Sequence, residues 1–179
     1  MTLITMKQTE FDSMSDERLS WVCVEPMLVS IRAKDAATKT QVIGSLNLSQ
    51  QALCMFRVFY DHARSSAGEM YAWVAYMLQT PGYWIGVTKG LSYFGDDQMV
   101  QLLEDTRQVI EEHERKSEVE SEFHPFRDLE QNPELANIAA QLYIRFQEIE
   151  QDSIKRISSF IRLNPQHFVQ IEDEVVKEV

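Results

Sequence analysis

The chain has 179 residues, an apolar fraction of 44% and a charged fraction of 25%, which suits one domain of ordinary size with a real core and excludes a disordered composition. Its net charge of −11 opposes direct nucleic-acid binding. Cys23 and Cys54 form no CxxC pair, so neither a disulfide framework nor a zinc site is implied, and two buried free thiols are expected. About 18 consecutive apolar residues would be needed for a membrane span. No such run exists, and the start Met1-Thr2-Leu3-Ile4 does not open a secretory signal, so a cytoplasmic protein with no membrane partner is expected.

In chain order, residues 1–12 read as a flexible N-terminal arm, 13–171 as a single helical domain, and 172–179 as an acidic tail. A first helix should begin at Ser13 or Ser15, bury Leu19, Val22, Cys23, Met27 and Ile31, and kink at Pro26, because proline removes one backbone donor and clashes with the preceding turn. A short helix is predicted over 36–43. Ser49 is placed as the cap of a segment in which Leu53, Phe56, Tyr60 and Ala63 recur at helical spacing. The next helix, Gly68–Leu78, is apolar nearly all round and should be buried and central. Beyond Thr80-Pro81-Gly82, the four-residue spacing of Gly82, Gly86 and Gly90 lines one helix face. That face can serve close packing on the preceding helix or contact with a small molecule.

Gly95 should end that helix and Asp96-Asp97 start another, running to about Lys116 with Met99, Leu102, Leu103, Thr106 and Ile110 inward. Ser117–His124 reads as a mobile loop. Asn132-Pro133 is a strong start signal for a long C-terminal helix with Leu135, Ile138, Leu142, Phe146, Ile149, Ile157 and Phe160 on one face. Asn164-Pro165 stops it, and a final turn is predicted over Gln166–Ile171. No strand pattern survives beyond a few residues. The expected class is all-α, a compact multi-helix bundle.

The charge is segregated. Residues 1–95 and 131–171 are each balanced, whereas 96–130 hold twelve acids against Arg107, Arg115, Lys116 and Arg127. Such a field attracts basic surfaces. The predicted protein-binding face is Asp96, Asp97, Glu104, Asp105, Glu111, Glu112, Glu114, Glu118, Glu120 and Glu122. Solubility alone is the competing account of those acids.

Motifs for catalysis are missing. The Glu-x-x-His pair of di-iron bundles occurs at none of the histidines, since Phe59, Ile110, Ser121 and Asn164 stand three residues before His62, His113, His124 and His167. Gly90-Leu91-Ser92-Tyr93-Phe94-Gly95 is one residue too long for a nucleophile elbow and lacks its strand. No catalytic residue, metal site or cofactor is therefore assigned, and His113 is expected to serve its helix C-terminus as a cation.

The C-terminal half carries a resemblance. Ile144-Arg145-Phe146-Gln147-Glu148, leading through Asp152 to Phe160-Ile161-Arg162-Leu163-Asn164-Pro165 and Phe168, resembles a recurring bacterial pattern. Gly90–Gly95 followed by Leu102-Leu103 is similar to its upstream motif. That pattern belongs to the DNA-mimic-protein-like helical domain family. At the family's Asn-Gly-Gly-Phe position, near Arg64–Met70, only Gly68 remains. The resemblance implies an acidic helical homodimer that acts without catalysis, presenting DNA-like charge to a basic DNA-binding protein. The acids named above come from this chain's own charge pattern. An immunity- or antitoxin-like protein is the alternative, and an enzyme with an unrecognised pocket a third reading.

Overall fold

The computed structural model describes residues 3–116 and 124–172, and their secondary structure is almost wholly helical. The backbone contacts divide the chain into two compact units where the charge and apolar patterns suggested one. The first comprises Met1–Cys54 and Ile154–Val179, the second Met55–Ser153. No helix among the described residues is long and apolar enough to cross a membrane.

The first unit opens with strand β1 (Ile4–Lys7) and helix α1 (Gln8–Ser13), not with a loose arm. Met6 and Phe11 are buried, which supplies the apolar contacts that order the segment. Arg162 adds polar ones, donating from Nη1 to Phe11 O at 3.1 Å and from Nη2 to Met14 O at 2.7 Å. The predicted kinked helix is two helices, α2 (Asp16–Val22) and α3 (Glu25–Ile31), separated at Cys23-Val24. Pro26 lies in the first turn of α3, where a missing N–H deprives no helical carbonyl of its partner.

Helix α4 (Ala36–Gly44) is capped by Asp35, whose Oδ1 accepts the Thr38 N–H at 2.9 Å. Helix α5 (Leu48–Ala63) starts one residue before the predicted cap, Ser49. Asn47 caps it instead: its Oδ1 accepts the Gln50 N–H at 2.9 Å while Gln50 Oε1 accepts the Asn47 N–H at 3.3 Å, a reciprocal capping box. Ser49 is buried, with Oγ 2.9 Å from His167 Nδ1. After a single 3-10 turn at Pro165–His167, the predicted final helical turn is strand β2 (Val169–Glu172). It pairs in parallel with β1, Ile4 opposite Val169 and Lys7 opposite Glu172.

The second unit continues α5 from Met55 and adds α6 (Ala67–Gln79), α7 (Tyr83–Tyr93), α8 (Asp97–Lys116) and α9 (Pro125–Gln131). It also holds the long helix α10 (Pro133–Leu163) as far as Ser153. Helix α6 packs against α7, α8 and α9, the central position that its apolar circumference predicts. Asn132 caps α10 by accepting the Leu135 N–H at 3.0 Å, and the helix's 31 residues span about 46 Å. Helix α9 was not foreseen. Residues 117–123 of the predicted loop and 173–179 of the acidic tail lie outside the described residues.

The three glycines do different jobs. A Cβ on Gly86 would stand 2.8 Å from Cε of Met55, so the close approach is to α5 and not to the preceding helix. Gly82 caps α7 at φ +84° with open space around it, a backbone state that disfavours L side chains. Gly90 is buried. Gly86→Leu is expected to lower stability by about 1–3 kcal/mol through overpacking, and Gly82→Ala by about 1 kcal/mol through backbone strain. Urea midpoints check both, and an unchanged Gly86→Leu midpoint would show that Met55 does not cover this face.

Candidate functional site

The candidate face is the outer side of α8, and its start is fixed by two overlapping caps. Gly95 at φ +70° ends α7, donating to Ser92 O at 3.0 Å while Asp96 donates to Leu91 O at 3.0 Å, the paired bonds of a Schellman motif. Asp96 then caps α8, its Oδ1 accepting the Met99 N–H at 3.3 Å. That double duty leaves Asp96 only 3% exposed, so it is removed from the predicted binding face. Met99, Leu102, Leu103, Thr106 and Ile110 are all buried, as their stripe requires, and this turns the remaining acids outward.

Along the outside, Asp97, Glu104 and Glu111 are seven residues apart, as are Asp105 and Glu112. Seven residues are close to two helical turns, so each set forms a line with carboxylates about 10.5 Å apart. Several are already paired. Asp105 accepts from Arg145 Nη1 and Gln101 Nε2, both at 2.8 Å, and these bonds hold its carboxyl below the ordinary range, Gln101 having the larger effect. Glu104 pairs with Arg107, whose Nε lies 3.8 Å from Glu111 and whose guanidinium sits over the Trp84 ring.

Lys116 Nζ lies 2.7 Å from Glu112 and lowers that carboxyl's pKa by hydrogen bond and charge. Among the described residues, no cation is within ion-pair distance of Asp97 or Glu114, and both are exposed. Glu118, Glu120 and Glu122 lie outside the described residues. The structure thus brings Asp97, Glu111, Glu112 and Glu114 to solvent on one helix and ties Glu104 and Asp105 to arginines.

The histidines are placed as follows. His113 Nε2 is 3.9 Å from Asp128 Oδ2, an ion-pair distance beyond hydrogen-bond reach. The neighbouring Tyr71 phenol is pushed well above its ordinary range, first by burial and then by the charges of Asp128 and Glu114. His62 stacks on Trp73 with centroids 3.7 Å apart. Burial lowers its pKa, outweighing the opposing charges of Asp61 and Glu69. Among the described residues, no group of three or more His, Cys, Asp or Glu side chains could hold a metal ion.

Two features escaped the sequence reading. Arg57 is buried on α5, where its Nη2 meets Asp61 Oδ1 at 2.5 Å and its guanidinium lies over Tyr60. The second is a row of rings. Beyond the His62–Trp73 stack, Trp73 and Tyr76 are 4.8 Å apart and Tyr76 and Tyr83 are 5.6 Å apart. The signal was present in Glu69, Trp73 and Tyr76, which share one helical face at spacings of four and three. An all-apolar helix gave no means of telling which ring would reach solvent. Comparison of the chain with protein-family models, with curated proteins and with solved structures finds no match.

Proposed function

We propose that this chain acts without catalysis, presenting the outer face of α8 to a basic protein and, in the sharpest form of the reading, mimicking a stretch of DNA before a DNA-binding protein. The observation that supports it is charge segregation carried into three dimensions. Asp97, Glu111, Glu112 and Glu114 are exposed on one helix, while residues 1–95 and 131–171 carry balanced charge. A duplex presents one charge per about 1.7 Å of axis. The carboxylate lines on α8 are much sparser, so mimicry calls for two copies of the chain to join their faces, and a homodimer is part of the proposal. In this reading the compartment is the cytoplasm, where DNA-binding partners reside.

The test is a variant carrying Asp97→Lys, Glu111→Lys, Glu112→Lys and Glu114→Lys. Glu104 and Asp105 stay, because they are half-buried and reversing them would set like charges against Arg107 and Arg145 away from full solvent, whereas Glu111 and Glu112 pair with Arg107 and Lys116 at exposed positions. Wild type should capture basic DNA-binding proteins from cell extract at low salt and release them at high salt, since surface attraction fades beyond a Debye length of about 8 Å at physiological ionic strength. The variant should keep its helical circular dichroism and capture none of them. Equal capture by both would show that this face is not the binding site. Salt-resistant capture of one toxin-like protein would turn the reading toward immunity.

A further inference from the structure

We propose that the ring row His62–Trp73–Tyr76–Tyr83, together with Glu69, is a docking site for arginine side chains of the basic partner; this inference rests on the acidic-face reading above. The row draws on the end of α5, one face of α6 and the first residue of α7, all within the second unit. Successive centroids are 3.7, 4.8 and 5.6 Å apart. Tyr76 is 42% exposed, and His62 is exposed as well. A planar guanidinium stacks on such rings and is attracted by their negative faces, while a nearby carboxylate accepts its N–H groups in pairs.

The carboxylate is Glu69. It lies four residues before Trp73 and seven before Tyr76, which on a helix sets it at one end of the same face. Its backbone N–H is taken by the Ser66 cap at 3.1 Å. Among the described residues, its carboxylate has neither a hydrogen bond nor an ion pair. The nearby cations are engaged elsewhere: Arg57 with Asp61 and Tyr60, and Arg64 over the Tyr60 ring at 5.2 Å. No arginine or lysine of this chain covers Trp73 or Tyr76 among the described residues. A nucleobase could stack on the same rings, but Glu69 and a net charge of −11 repel its phosphates. Charge therefore selects a cationic occupant, and ring geometry selects arginine over lysine.

The experiment is calorimetric titration of octa-arginine and octa-lysine peptides at low salt into wild type, Tyr76→Ala, Glu69→Gln and the four-lysine α8 variant. Wild type should prefer octa-arginine by about two- to fivefold, the gain of one exposed cation–ring contact. Tyr76→Ala should bring the two peptides to one affinity, and Glu69→Gln should reduce the preference while leaving every ring in place. The α8 variant should weaken both peptides by a common factor and keep their ratio. Equal affinities for wild type, or a preference that survives Tyr76→Ala, would overturn the docking site and leave the acidic-face reading standing. Failure of both peptides to bind wild type would overturn the acidic-face reading and this inference with it. Unchanged circular dichroism of Glu69→Gln separates loss of docking from loss of fold.

Discussion

Phe146→Ala is expected to lower the free energy of unfolding by about 3–5 kcal/mol. Phe146 is fully buried in the second unit. Its ring meets Phe59 edge-on at 6.1 Å, lies 6.1 Å from Tyr60, and stacks on Tyr143 at 5.9 Å. Truncation removes the apolar surface of the ring and leaves a cavity whose walls are other rings held on α5 and α10, which cannot collapse far into the space. Three aromatic pairings are lost at the same time. Ile144→Ala, two residues away on the same helix and 46% exposed, should change stability by no more than about 0.5 kcal/mol. Urea denaturation of the two variants checks the contrast through the midpoint at constant slope. A loss below about 1 kcal/mol for Phe146→Ala would show that the ring cluster is not the centre of this unit's packing.

The second large effect is chemical silence of the two thiols. Burial pushes both Cys23 and Cys54 up to about 12, and Cys54 Sγ rests 3.7 Å from Met27 Sδ in the first unit. Thiolate is the reacting species, so at pH 8 its population should be about a thousandfold below that of an ordinary thiol. Ellman's reagent should therefore find no reactive cysteine in the native protein and two after addition of guanidinium chloride. The sign of the linked pH effect follows. A folded-state pKa raised above the unfolded value of 9.0 means that the unfolded chain sheds protons first. The contribution is fully present below pH 9 and is lost as pH rises from 9 toward 12. Stability should fall across that window, and Cys54→Ala should make the fall shallower. Rapid labelling of either thiol under native conditions would contradict the buried placement.

Helices with a sustained apolar stripe were legible from the residues alone. Met99 to Ile110 and Leu135 to Phe146 repeat at helical spacing, and Asn132-Pro133 marks a start by local chemistry. Features that depend on distant partners were not legible. The strand at Ile4–Lys7 is four residues long and exists through pairing with Val169–Glu172, which no local pattern encodes. Asp105 counted as a free surface charge until Arg145, forty residues on, was seen to meet it. Gly95-Asp96-Asp97 offered two candidate caps, and only the backbone geometry shows that Asp96 takes the cap and leaves Asp97 exposed.

The residues behind the resemblance prove to be structural as well. Arg145 ties α10 to Asp105, Phe146 fills the ring cluster, and Arg162 holds Phe11 and Met14 by their carbonyls. Asn164 Nδ2 donates to Phe160 O at 2.9 Å, and Phe168 is buried. Such residues hold the fold together, whereas Tyr76 and Glu69 are exposed.

The first unit is discontinuous, built from Met1–Cys54 and Ile154–Val179, with the second unit lying wholly between them in sequence. Synthesis runs in one direction, so the second unit's residues are all joined before the first unit's closing pieces have been synthesised. Phe11 and Met14 must wait for Arg162, and Ile4 for Val169. Until then residues 1–54 lack part of the unit that buries apolar side chains such as Leu19, Met27 and Leu53, the condition in which chains become clients of chaperones. A stop codon at residue 154 would keep every residue of the second unit and deprive the first of Arg162 and Val169. Truncation at that boundary thus threatens the two units unequally.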